Sequence, residues 1–213
     1  EGDENTALGV QAGAYITTGT QNVMIGMQAG VTGTTLTTGN ASVFVGHSAH
    51  GSGVAVNNEI CLGFNVGGGG TNTLRFGNAA NDCEVSFGGT SISAPSDIRL
   101  KENIEDETIG LSFINELRPV TFQWKKAKDI SSEMEAHDPD SEERVMNGKF
   151  NHGFIAQEVK AVIDNHSDIK DGFAMWKEDA GDGRQRIADG ALVPMLVKAI
   201  QELSAEIEIL KAK

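Results

Sequence analysis

A serine with a lysine five residues on, Ser96 and Lys101, is the pair in this chain whose types and spacing could make and break a covalent bond. A serine hydroxyl attacks a carbonyl once a base takes its proton, and lysine serves as that base only in its neutral form. The pair sits in Ser96-Asp97-Ile98-Arg99-Leu100-Lys101-Glu102-Asn103-Ile104, directly after Ala94-Pro95. From there the hydroxyl reaches the carbonyl of Pro95 through a five-membered ring, whereas its own carbonyl would require a four-membered one. Ring size therefore favours Pro95–Ser96 over Ser96–Asp97 as the bond to break. Free lysine titrates at about 10.4, so burial has to depress such a base by roughly two to three units. Burial between assembled subunits would do so, and would couple the chemistry to assembly. Serine and lysine are common on surfaces; position at a junction sets this pair apart.

That junction is one of composition. Residues 1–91 hold 19 of the 26 glycines and only seven charged residues, whereas residues 92–213 hold 40 charged residues, both tryptophans and all four prolines. The chain reads as a Gly-rich repeat region over 1–91, a junction over 92–95 and a second domain over 96–213. Acids outnumber bases 30 to 17, for a formal charge of -13, which speaks against nucleic acid as a partner. No apolar run approaches the eighteen or so residues of a membrane span, and the acidic start does not read as a signal peptide. No membrane insertion is expected. Cys61 and Cys83 lack CxxC spacing and read as buried free thiols of a chain made in a reducing compartment.

The first half repeats. Asn5-Thr6-Ala7-Leu8-Gly9-Val10-Gln11-Ala12-Gly13 returns as Asn22-Val23-Met24-Ile25-Gly26-Met27-Gln28-Ala29-Gly30, with looser copies around Gly46 and Gly63. These four glycines lie 17, 20 and 17 residues apart, and shorter echoes follow at Leu74-Arg75-Phe76-Gly77 and Val85-Ser86-Phe87-Gly88. Each unit is a short apolar strand ended by glycine, then a polar connector. One unit cannot bury its own apolar face, so it must stack on its neighbours or on copies in other chains. The run from Gly67 to Gly70 is no phosphate loop, since no Gly-Lys-Ser/Thr follows. His47 and His50 lack further ligands and read as surface residues.

The second half reads as α+β. Residues 111–117 fit an amphipathic helix stopped by Arg118-Pro119. Residues 120–124 and 150–155 read as strands, 156–165 as a helix, and 173–177 with 186–188 as a hairpin across a Gly/Asp turn. Residues 128–147 are polar and read as an exposed loop. Its Asp138 start resembles a calcium loop, but Glu143 stands where the sixth position needs glycine and Lys149 where the twelfth needs glutamate. Residues 189–212 form the clearest helix, with Pro194 tolerated in its first turn. Val193, Leu196, Ile200, Leu203, Ile207 and Leu210 recur at steps of three and four, a heptad seam. In isolation, Ile and Leu alternating in this way favour two strands rather than three.

Three blocks now stand in order: Ser96 to Ile104, Gly153-Phe154-Ile155-Ala156-Gln157-Glu158-Val159, and Leu192-Val193-Pro194-Met195-Leu196-Val197-Lys198-Ala199-Ile200-Gln201-Glu202-Leu203. Together they resemble the C-terminal intramolecular chaperone domain of phage tail fibres, neck appendages and tailspikes, a self-cleaving serine peptidase. The repeats resemble the trimeric β-roll heads of bacterial adhesins and the β-shafts of phage fibres, with an ordinary single-chain β-solenoid as the alternative. The fold so implied is a mainly β, trimeric β-helix or β-roll shaft followed by an α+β chaperone domain ending in a long helix. The resemblance further implies a homotrimer in which the domain folds the shaft of its own chain and then cuts itself off. In it Ser96 matches the nucleophile, Lys101 the general base and His152 a histidine that assists cleavage, with no cofactor and no metal. Some relatives split after the serine, which keeps Ser96–Asp97 open. Assembly would take place in the host cytoplasm. The mature shaft would sit in the virion tail fibre or spike, with a host-surface receptor as its partner. The rival reading is a bacterial trimeric adhesin on a static, uncut foot; a conventional hydrolase lacks a second serine, histidine and acid constellation.

Overall fold

The computed structural model describes residues 2–169 and 173–213 and divides into two compact units, Glu1–Asn103 and Ile104–Lys213. Among the described residues 92–103, only Ser93 bonds back to the repeats, through the bridge to Glu84.

In the first unit, β1 (Thr6–Leu8), β2 (Val23–Ile25), β3 (Val43–Val45), β4 (Glu59–Phe64) and β5 (Thr73–Asn78) pair in parallel in chain order. The register aligns Ala7, Met24, Phe44, Cys61 and Arg75 in one column. In a strand of three residues the middle side chain points opposite to its neighbours. Met24 and Phe44 therefore turn inward with Cys61 in register beside them, while Ala7 in the first turn is exposed. Met24, Phe44 and Cys61 are buried with Ala29, Leu36, Ala49 and Val66 into one core. The unit is a solenoid of about four turns, each stacked on the next within one chain.

Polar ladders run alongside that core. Asn5 Oδ1 accepts from the Asn22 amide nitrogens, Asn22 Oδ1 accepts from Ser42 N–H at 3.0 Å, and Ser42 Oγ accepts from Glu59 N–H at 3.2 Å. The strand-ending glycines are required by close approach: Gly46 has φ 131°, and a Cβ there would lie 2.1 Å from the Gly63 carbonyl oxygen. Glu59 is fully buried. Its carboxylate accepts from Ser52 N–H at 3.0 Å and Gly70 N–H at 2.7 Å, tying two connectors together. This explains the glycine run, since a Cβ on Gly68 would meet Glu59 Oε1 at 2.0 Å.

Two expectations are corrected in this unit. The echo at Val85 to Gly88 is not a further turn: β6 (Asp82–Ser86) returns antiparallel to β5. Only residues 79–81 separate the two strands, and Asn78 Oδ1 accepts from Ala80 and Asn81 N–H to close a tight turn. The histidines are half-buried rather than surface residues. His47 stacks on Phe64 with ring centroids 5.3 Å apart, and His50 is wedged between Gly33 and Gly67, where a Cβ would clash with its ring.

Cys61 lies inside this core, and burial, with Glu59 nearby, pushes its thiol up to about 12. Thiolate is the reactive form, so Cys61 should resist alkylation at neutral pH. Intact mass after iodoacetamide should show Cys83, which is half-buried, modified in native protein and Cys61 only after denaturation. Two labels on native protein would contradict the packing.

The second unit holds α1 (Leu111–Glu116), β7 (Val120–Phe122), β8 (Asn151–Gly153), α2 (Ala156–Asn165), β9 (Trp176–Glu178), β10 (Gln185–Ile187) and α3 (Val193–Lys211). β7 with β8 and β9 with β10 form two antiparallel pairs. Ile109, Phe113, Val159, Met175, Leu192 and Met195 make the core. The strands are shorter than their apolar runs, and the last helix opens as a 3-10 turn over Asp189–Leu192 before Pro194 enters the α-helix. Glu202 on α3 accepts from Leu111 N–H at 2.8 Å, satisfying an amide at the start of α1. Among the described residues no helix is long and apolar enough to cross a membrane.

Candidate active site at the junction

Extended, five residues would hold Ser96 and Lys101 roughly 17 Å apart at about 3.3 Å per residue. A 3-10 turn over Ile98–Leu100 brings them together. Asp97 starts it: its Oδ1 accepts from Arg99 N–H at 2.9 Å, and its backbone carbonyl accepts from Leu100 N–H at 3.0 Å. Ser, Thr, Asp and Asn are the residues favoured for this capping role. Lys101 N–H then bonds the Ile98 carbonyl at 3.1 Å and leaves the turn in extended conformation. The result is a contact of 2.7 Å from Lys101 Nζ, as donor, to Ser96 Oγ. The same separation serves a hydroxyl donating to a neutral amine.

The Arg99 guanidinium pairs with Asp97 and holds its carboxyl below the ordinary 3.8. A lowered carboxylate pKa means that the cap is intact at neutral pH and is lost only as pH falls below that value. Asp97 was legible as a cleavage-site neighbour but not as the residue that closes the pair. The Asp-x-Arg spacing ahead of a short turn is the signal that could have shown it.

Ser96 and Lys101 are exposed in the single chain. So are large apolar side chains around them, with Ile98 71% and Leu100 70% accessible. Immediately upstream, Ser93 and Glu84 exchange both backbone hydrogen bonds at 2.9 Å, an antiparallel bridge onto β6. Ser93, Ala94 and Pro95 line one shallow depression with Arg75, Asp82 and Glu84.

His152 lies in the second unit, exposed on β8 opposite Thr121. The seam residues Val193, Leu196, Ile200, Leu203, Ile207 and Leu210 all lie on α3 and are all exposed, Ile200 at 62% and Leu210 at 67%. Their helix meets its own core through a different stripe, Leu192, Met195, Ala199 and Glu202. From Leu203 onward every residue is exposed.

Residues 96–168 match the model of a peptidase family described as chaperone of endosialidase. The match begins on Ser96, includes the first two sequence blocks and stops short of the block at 192–203. It spans about a third of the chain. No curated protein and no solved structure matches at a significant level.

Proposed function

We propose that the chain is a segment of a viral tail fibre or spike whose second unit drives homotrimerisation and folding of the solenoid, then releases itself by cutting at the junction. The contact between Lys101 Nζ and Ser96 Oγ, at the first residue of the family match, carries this reading.

Neutral Lys101 takes the Ser96 hydroxyl proton while Oγ attacks the Pro95 carbonyl carbon. The tetrahedral intermediate collapses, the Pro95–Ser96 C–N bond breaks, and the lysine proton passes to the departing nitrogen. This leaves an ester between the Pro95 carbonyl and Ser96 Oγ beside a free Ser96 amine. Water then attacks the ester, giving the Pro95 carboxylate and restoring the hydroxyl. Ser96–Asp97 is the alternative bond. The resemblance adds His152 as a residue that assists cleavage.

Exposure of the pair supports gating by assembly. In water lysine stays protonated; partner chains covering Ile98, Leu100 and the pair would favour its neutral form. The uncovered α3 seam supports association, since an exposed apolar stripe of this length marks an interaction surface. Leu8, Ile25, Leu62 and Phe76 add an uncharged apolar column outside the solenoid.

Lys101→Ala should leave the chain uncut while it still assembles, read by denaturing gel beside light scattering. Loss of general-base work costs on the order of a hundredfold or more in rate. A variant cut as fast as wild type would remove lysine from the mechanism.

A further inference from the structure

The segment that precedes the reacting serine is held by the solenoid itself. Ser93 N–H donates to the Glu84 carbonyl and Glu84 N–H donates to the Ser93 carbonyl, both at 2.9 Å, and Ser93 Oγ adds a bond of 3.2 Å to the same Glu84 carbonyl. The chain reaches this position by reversing after β6, where Gly89 N–H bonds the Ser86 carbonyl and Gly88 takes φ 84°. Ser93 therefore bridges the free edge of β6 as one residue of extended chain, a one-residue version of the mode in which extended peptides dock on sheets.

Glu84 works from both ends. Its backbone grips Ser93, and its carboxylate pairs with Arg75, whose Nε donates to Glu84 Oε2 at 3.0 Å. Arg75 stands where the inward apolar column ends, and it also reaches Asp82 at 3.8 Å and the Gly67 carbonyl at 3.3 Å. One guanidinium thus ties β5, β6 and the preceding connector together. The edge that holds Ser93 is thus tied to β5 and, through Arg75, to the connector before it.

We propose that the β6 edge, through Glu84 and Arg75, is the subsite that presents the Pro95 carbonyl to Ser96, so that cleavage waits for the solenoid's last turn to fold. Pro95 lies two positions beyond the clamped Ser93, with only Ala94 between them, a reach of about 7 Å. A tether this short narrows the geometries open to the reacting carbonyl. The inference rests on the self-cleavage reading and adds its regulation: the helper is released only from a finished client.

The test uses the full chain and a time course of cleavage on denaturing gels. Ser93→Pro removes the N–H that bonds Glu84, at an exposed residue beyond β6. It should slow cleavage at least about tenfold, the scale of lost positioning, with the solenoid's melting unchanged. Ser93→Ala keeps both backbone bonds and loses only the 3.2 Å Oγ contact, so it should cut faster than Ser93→Pro. Ser93→Pro cut as fast as wild type with a folded solenoid overturns the clamp and leaves the self-cleavage reading standing. If Ser93→Pro melts early, two glycines inserted between Ala94 and Pro95 decide the matter, since residues 1–94 are untouched. A slowed insertion variant supports the clamp, and a wild-type rate overturns it. Wild type that never cuts removes the self-cleavage reading, and the clamp with it.

Discussion

Aspartate at both Ile200 and Ile207 should abolish trimerisation and self-cleavage together while leaving the fold of the single chain intact. Both side chains are exposed on α3, at 62% and 49%, and neither joins the core of its unit. The substitutions therefore cost the monomer little. In an assembled seam each aspartate would be an unpaired buried ion, at several kcal/mol apiece, roughly the scale of breaking a buried pair. Assembly fails, and Ser96 and Lys101 stay as exposed as they are in the single chain. Light scattering and a denaturing gel on the same sample read both outcomes. A monomer that cuts efficiently would separate chemistry from assembly.

The second large effect concerns what cleavage leaves behind. Residues 1–95 released from the full chain should remain trimeric and resist heat kinetically, with a melting temperature that depends on scan rate and no recovery after denaturation. The same residues expressed alone should be aggregated or monomeric. The turns stack within one chain, but the outer column of Leu8, Ile25, Leu62 and Phe76 has nothing to fix how many chains it meets. A tethered trimerisation domain supplies that count and raises local concentration. Gel filtration and thermal scans compare the two preparations. If the separately expressed solenoid trimerises as readily, the second unit is not its chaperone.

Much of this was legible because side-chain pattern and backbone agree. Met24, Phe44 and Cys61, apolar and in register ahead of the strand-ending glycines, are the buried column. The helices at 156–165 and over α3 were legible in the sequence, and the heptad stripe lies exposed along α3. The pair at Ser96 and Lys101 was visible as spacing, though not the Asp97 cap that closes it.

What stayed hidden has physical causes. Val85-Ser86-Phe87-Gly88 has the composition of a repeat, and only the short connector at 79–81 forces it to run backwards. Glu59 stands in a ladder otherwise built from Asn and Ser, and its burial depends on amides from Ser52 and Gly70 that no sequence pattern announces. The Glu84–Ser93 bridge is made by backbone atoms, so residue types carry no trace of it.

The most direct measurement is the intact mass of purified wild-type protein beside that of Ser96→Ala. Wild type should give two fragments, of 95 and 118 residues for a cut before Ser96, which together make up the 213-residue chain. A cut after Ser96 would move one serine between them and would identify the other bond. Ser96→Ala lacks the hydroxyl and should give one uncut mass from a protein that still trimerises. Fragments from Ser96→Ala at the wild-type rate would contradict the account.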